Sequence, residues 1–166
     1  MALNYTKKTL DNFLKPKNIG KIKSPDGYAQ IGNMVCGDQL DFFLKVEKGK
    51  IKDVKFLSFG CASNIATASI LSEKVKGMAI EEAKKYPWKK IVDDLGGLPS
   101  QKVHCSVMAV QGLQKAISDY ESRQEASKSP KKVLKGVKKP VKSDIKRKTA
   151  TKIVKKKQSP KISKRK

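Results

Sequence analysis

Between Leu40 and Val75 the hydrophobic period changes once, and that change constrains the rest of the chain. Leu40, Phe42, Leu44 and Val46 alternate with Gln39, Asp41, Lys45 and Glu47, the period of a half-buried strand, with Phe43 the one large apolar residue on the outer set. Lys48-Gly49 reads as a tight turn, and Ile51 to Phe59 returns as the second strand of an antiparallel hairpin. Immediately afterwards Ile65, Ala68, Leu71 and Val75 recur at helical intervals, with Gly77 as the C-terminal stop. The strand-to-helix turn, Phe59-Gly60-Cys61-Ala62-Ser63-Asn64, therefore carries a thiol beside unpaired helix N–H groups, which favour thiolate. Cys36 precedes the first strand of the hairpin and Cys61 follows the second, so closing it brings both to one end of the sheet.

The flanking segments read more simply. Asn4 is expected to cap a helix over 5–14 with Leu10, Phe13 and Leu14 on one side, ended by Pro16. Ser24-Pro25-Asp26-Gly27 is a turn leading into a short edge strand at 28–31. Two short helices, 80–85 and 88–95, place Tyr86 and Trp88 in the core and close on Gly96-Gly97. A last helix, capped by Ser100, carries Val107, Val110, Leu113, Ile117 and Tyr120 on one stripe, with His104 and Cys105 in its early turns. The expected fold class is α+β: a small antiparallel sheet of about three strands packed against several helices.

Charge divides the chain. Residues 126–166 hold 18 Lys and Arg against a single acid, Asp144, and no aromatic residue, out of a total of 38 basic and 15 acidic residues. This predicts a globular domain over 1–125 and a disordered lysine-rich tail over 126–166, since no apolar stripe there repays the entropy of ordering. The N-terminal stretch lacks the charged-then-apolar pattern of a leader, and the longest uncharged run, 56–72, is too polar and short to span a bilayer, so the expectation is a cytoplasmic, intracellular protein with no membrane association.

Three cysteines, an odd number without a CxxC pair, argue against a closed disulfide framework and for metal or reactive-thiol chemistry. They arrive on three separate elements, as Cys36-Gly37-Asp38, Gly60-Cys61 and His104-Cys105, so the site they form is non-local and can stay open on one side, unlike structural zinc sites. Soft thiolates with a carboxylate or imidazole suit zinc, ferrous iron or an iron–sulfur cluster, and the weaker oxygen or nitrogen ligand eases release.

Residues 4–122 resemble the U-type iron–sulfur cluster scaffold family, the IscU and NifU N-terminal kind. The resemblance lies in Asp11-Asn12-Phe13-Leu14-Lys15-Pro16-Lys17-Asn18-Ile19-Gly20, Cys36-Gly37-Asp38, Phe59-Gly60-Cys61-Ala62-Ser63-Asn64-Ile65-Ala66, Val75-Lys76-Gly77 and Leu98-Pro99-Ser100-Gln101-Lys102-Val103-His104-Cys105-Ser106, in the family's order. It implies a non-catalytic platform on which a transient two-iron, two-sulfide cluster is built and passed to recipient apo-proteins. Sulfur would come as a persulfide from a cysteine desulfurase, with Cys105 the acceptor, and electrons from a donor such as ferredoxin. By the same resemblance Cys36, Cys61 and Cys105 are cluster ligands, Asp38 serves iron entry and cluster lability, His104 is an occasional fourth ligand, and zinc can occupy the site. The chain departs from the family at Leu98-Pro99-Ser100-Gln101-Lys102, where many bacterial members carry Leu-Pro-Pro-Val-Lys for a dedicated heat-shock chaperone, so that handover is not carried across.

Other readings stand beside this one. His104 can instead steady the helix start, Asp38 can be a turn cap, Gly60 can serve only the turn, and Lys102 is either a partner-binding residue or a solvated helix-start residue. The tail's charge attracts nucleic acid by counterion release, and its Ser129-Pro130-Lys131-Lys132 and Ser159-Pro160-Lys161 form loose repeats, so a zinc-stabilised nucleic-acid-binding protein is the alternative function. A cysteine-nucleophile enzyme using His104 and Cys105 ranks last, because adjacent helix positions point about 100 degrees apart.

Overall fold

The β-hairpin is set by its turn. Lys48 and Gly49 both take positive φ, 52° and 74°, the left-handed pair that a two-residue hairpin turn requires. In the computed structural model, which describes residues 4–128, this turn joins β2 (Gln39–Glu47) to β3 (Lys50–Phe59), in register from Glu47↔Lys50 to Gln39↔Phe59. A register shift at Lys45/Val46 breaks strict alternation on β3, so that Ile51 and Val54, three apart, are both fully buried with Phe56. β1 (Gly27–Gly32) adds antiparallel to β2, giving the order β1-β2-β3. Beyond β3, Gly20 donates to the Phe56 carbonyl at 2.8 Å and Phe56 to that of Asn18 at 3.1 Å, closing that edge.

The helices are α1 (Lys7–Leu14), α2 (Ala62–Val75), α3 (Ile80–Lys84), α4 (Trp88–Asp94) and α5 (Val103–Lys128), with a 3-10 turn at Ser100–Lys102. The α+β expectation with a three-stranded antiparallel sheet is met. α2 lies between α1, α5 and β3. Its small residues permit that central place: Ser63, Asn64, Ala66, Thr67, Ala68, Ser69 and Ser72 are all fully buried. Several of its hydroxyls are bound by the α1 side, Ser69 Oγ donating to Asn12 Oδ1 at 2.8 Å and Asn18 Nδ2 to Ser72 Oγ at 3.1 Å. α5 covers β1 and β2, and a Cβ on Gly27 would run into the Ala116 carbonyl, so helix and strand approach closely there.

Some local expectations fail. Thr6, not Asn4, caps α1, accepting the Thr9 N–H at 3.1 Å, while its own hydroxyl donates to the Leu95 carbonyl. α1 then turns Thr9 and Phe13 inward, leaving Leu10 and Leu14 41% and 71% exposed rather than packed beside Phe13. Ser100 does not cap the last helix, because the 3-10 turn intervenes and α5 begins at Val103. Phe43, on the outer face, is nonetheless buried, its ring 5.1 Å from that of Tyr28 across the strand pair. Tyr86 is in the core and Trp88 packs against it. α5 takes in residues 126–128 of the expected tail; 129–166, with both Ser-Pro-Lys repeats, lie outside the described residues. Among the described residues no helix is long and apolar enough to cross a membrane.

Candidate metal centre

Four elements converge at the site: the β2 start, the β3 end and the first turns of α2 and α5. Cys61 is the N-cap residue of α2, with Asn64 and Ile65 N–H groups bonded to its carbonyl at 3.0 and 3.2 Å. Its Sγ stands 3.8 Å from Cys105 Sγ and 3.6 Å from Asp38 Oδ2, and Cys105 Sγ stands 4.0 Å from the same oxygen. The Cys61 backbone N–H donates to Asp38 Oδ1 at 3.3 Å. Asp38, Cys61 and Cys105 can thus offer ligand atoms within 4.8 Å of one another.

Cys36, Asp38 and His104 form a second such group. Hairpin closure does bring Cys36 to the end of the sheet that holds Cys61, but its thiol groups with His104 rather than with the other sulfurs. It sits on an exposed loop whose neighbours Met34 and Val35 are open to solvent. Asp38 belongs to both groups and is buried, so it links an exposed triad to an enclosed one.

The two inner sulfurs share one proton unequally. Cys61 is lowered from 9.0 to about 6, above all by the hydrogen bond from Cys105, with the Asn64 N–H and the Lys102 charge helping and burial and Asp38 opposing. Cys105 is pushed up for the complementary reason, its bond to Cys61, reinforced by burial and by the Cys61 and Asp38 charges. Cys61 is therefore the thiolate and Cys105 the thiol. Lys102 is raised, chiefly by the Cys61 charge, which places its ammonium as a counter-charge to the site. His104 Nε2 lies 3.6 Å from Cys105 Sγ, so the ring folds back across the divergence expected of adjacent helix positions.

Two residues do more at the site than the sequence assigns them. A Cβ at Gly60 would meet Asp38 Cγ at 2.7 Å and Asn64 Nδ2 at 2.6 Å, so this glycine makes room for the carboxylate and not only for the turn. Asn64 holds the turn from the other side, donating to Ser58 Oγ at 3.1 Å. Its Oδ1 and the Ser63 Oγ are buried without a partner, both within three residues of Cys61. The Gly-Cys-x-x-Asn spacing carries a trace of this, but the Gly60 to Asp38 approach spans the whole hairpin and leaves no local pattern.

Two soft sulfur donors with one buried carboxylate, joined to a third thiol and an imidazole, suit iron or zinc and leave one side open. The NifU-like N terminal domain family model matches residues 4–127. The chain is 47% identical over 116 residues to the iron-sulfur cluster assembly scaffold protein IscU 1 of Archaeoglobus fulgidus, covering 70% of this chain and 76% of that one. It is 45% identical over 136 residues to the IscU scaffold protein of Aquifex aeolicus, covering 78% and 87%. The crystal structure of a NifU-like protein (N-terminal) from Brucella abortus superposes with a TM-score of 0.59 at 18% identity, covering 71% of this chain and 94% of that one, a likeness of fold. The chain belongs to the NifU-like N-terminal domain family.

Proposed function

We propose that this protein is a non-catalytic scaffold on which an iron–sulfur cluster is assembled and from which it is passed to apo-proteins. The observation that carries the reading is the pair of ligand groups sharing Asp38, in a chain so similar to IscU scaffolds. The cluster is cargo. Cys36, Cys61 and Cys105 supply thiolates, Asp38 a carboxylate oxygen central to both groups, and His104 an imidazole on the open side. A two-iron, two-sulfide cluster suits two adjoining triads, and zinc can take the same donors when iron is scarce.

Sulfur reaches the site as a persulfide on a cysteine desulfurase, and Cys105 accepts it. The Cys105 proton passes to Cys61 or to His104, 3.8 and 3.6 Å away. The Cys105 thiolate then attacks the outer sulfur, forming a new S–S bond and releasing the desulfurase cysteine as its thiolate. A ferredoxin-class donor supplies the electrons that reduce this sulfane sulfur to sulfide. Lys102, half-buried at the rim and drawn to the Cys61 charge, is a contact for an acidic partner surface.

Anaerobic incubation with ferrous iron, a cysteine desulfurase, cysteine and a reduced ferredoxin gives visible charge-transfer bands in the wild-type chain and none in Cys61→Ser. Colourless wild-type protein under those conditions overturns the scaffold reading.

The domain boundary and the tail support a second, separate activity. With 18 basic residues, one acid and no aromatic residue for stacking, 126–166 binds nucleic acid weakly through phosphate contacts, which carry no sequence preference. Removing 129–166 is expected to abolish this salt-sensitive binding and leave cluster assembly intact; loss of assembly on truncation contradicts the division.

A further inference from the structure

The two edges of the sheet are treated differently. The β3 edge is closed by the segment at Asn18 to Gly20, whereas β1 is an outer strand with no neighbour on its far side among the described residues. The ladder fixes which groups of β1 face outward. Asn33 donates to the Asp38 carbonyl at 2.9 Å, and Ile31 and Ala29, two and four residues back, follow it in facing β2. Tyr28, Gln30 and Gly32 therefore direct their N–H and C=O groups away from the sheet. Tyr28 confirms the parity: its N–H donates to Asp119 Oδ2 of α5 at 2.9 Å, which seals one end of the edge. Gln30 and Gly32, both exposed, remain as an open edge towards the cysteine site.

A groove runs beside that open stretch. His104, Val107, Met108, Gln111, Gln114, Lys115 and Ser118 recur at three- and four-residue steps along one stripe of α5. With Ile31 they line two cavities of about 380 and 400 Å³ that share Ile31 and Gln111. From His104 to Ser118 the stripe is about 21 Å long at 1.5 Å per residue, the span of about six residues of extended chain. Its site-proximal end is walled by Asn33, Met34 and His104, the last a member of the exposed ligand group.

We propose that the β1 edge and this groove bind an extended segment of a recipient apo-protein by strand addition, bringing the recipient's cluster-binding cysteines to the exposed side of the site. The inference rests on the scaffold reading and names how one class of its partners docks. Gln30 and Gly32 supply the main-chain hydrogen bonds. Ile31, Val107 and Met108 receive every second side chain of the segment, apolar ones, while the alternate side chains stay in solvent. Met34 and Met108 give the walls an adaptable lining, which suits a scaffold that serves recipients of different sequence. The groove carries one cation, Lys115, and no acid, so the segment it fits is neutral or mildly acidic at its far end.

The test uses the full chain without cluster, an apo-ferredoxin of the two-iron class, and a synthetic peptide spanning that ferredoxin's cysteine loop and its flanking strand. Amide hydrogen exchange at Gln30 and Gly32 is expected to slow by about tenfold or more at saturating peptide, with Tyr28, already bonded to Asp119, little changed. Methylating the peptide backbone at alternate nitrogens should abolish binding in one register and spare it in the other; because these variants leave the protein chain unchanged, a folding defect cannot mimic the result. No protection at Gln30 and Gly32, or equal loss from both methylation registers, overturns the proposal. Protection present before peptide is added, from a second copy of the chain or from residues 129–166, also overturns it. Each of these failures leaves cluster assembly by the same preparation intact, so the docking proposal falls without the scaffold reading.

Discussion

The two ligand groups at the end of the sheet share Asp38 and differ in their surroundings. The enclosed group, Asp38 with Cys61 and Cys105, is held by the strand-to-helix turn, the start of α5 and the Gly60 notch, and its sulfurs stand 3.8 Å apart. The exposed group, Asp38 with Cys36 and His104, hangs on a loop whose Met34 and Val35 are fully open. A site built to keep a metal would enclose both. Here one half is enclosed and already charged as a thiolate, and the other lies open to solvent, which suits cargo that must enter and leave.

The comparison breaks most visibly at Gly60. Gly60→Ala forces a methyl against Asp38 and Asn64 and is expected to destabilise the fold by about 2 kcal/mol, read as a lower urea midpoint at unchanged slope. A change smaller than about 0.5 kcal/mol would mean the notch is slack. Next comes Asp38→Ala. Removing a buried carboxylate from between thiolates relieves like-charge repulsion and takes away the exchangeable oxygen, so cluster loss to a chelator slows by about tenfold, about 1.4 kcal/mol in barrier. Faster loss contradicts the lability role.

Proton affinity separates the halves further. Cys61 is depressed from 9.0 to about 6 by the Cys105 hydrogen bond, so its alkylation by iodoacetamide, followed by peptide mass spectrometry on the metal-free chain, should rise through about pH 6, while Cys105 reacts only at much higher pH. The depressed Cys61 thiol contributes stability that is lost as pH falls through about 6, while the raised Cys105 thiol opposes folding increasingly as pH climbs past the unfolded value of 9.0. Lys102→Ala should move the Cys61 midpoint upward, and a downward move would refute its part as counter-charge. The smallest effect is on the exposed side: Cys36→Ser should change stability by less than about 0.5 kcal/mol yet abolish cluster retention.

How much of this the sequence displays depends on the range of the contacts. The hairpin and α2 were legible because period two and period 3.6 are local signals, and the turn at Lys48-Gly49 states its own geometry. The three cysteine stations were legible from residue type and from the family resemblance, and the hairpin explains why Cys36 and Cys61 reach one end. What the pattern does not carry is pairing at a distance. The Thr6 cap is chosen by its additional bond to Leu95, and Phe43 is buried by Tyr28 from another strand. Leu10 and Leu14 face outward because Thr9 and Phe13 take the contact with the core. Likewise, the division of five candidate ligands into an enclosed and an exposed group arises only where α5 docks against the hairpin.

Native mass spectrometry of the full chain after anaerobic supply of iron, desulfurase, cysteine and a reduced ferredoxin tests the central claim most directly. The account predicts a mass increment of two irons and two sulfides on the wild-type chain, reduced to bare protein in Cys36→Ser and in Cys61→Ser. A single metal ion without sulfide, retained when Cys36 is replaced, would contradict it.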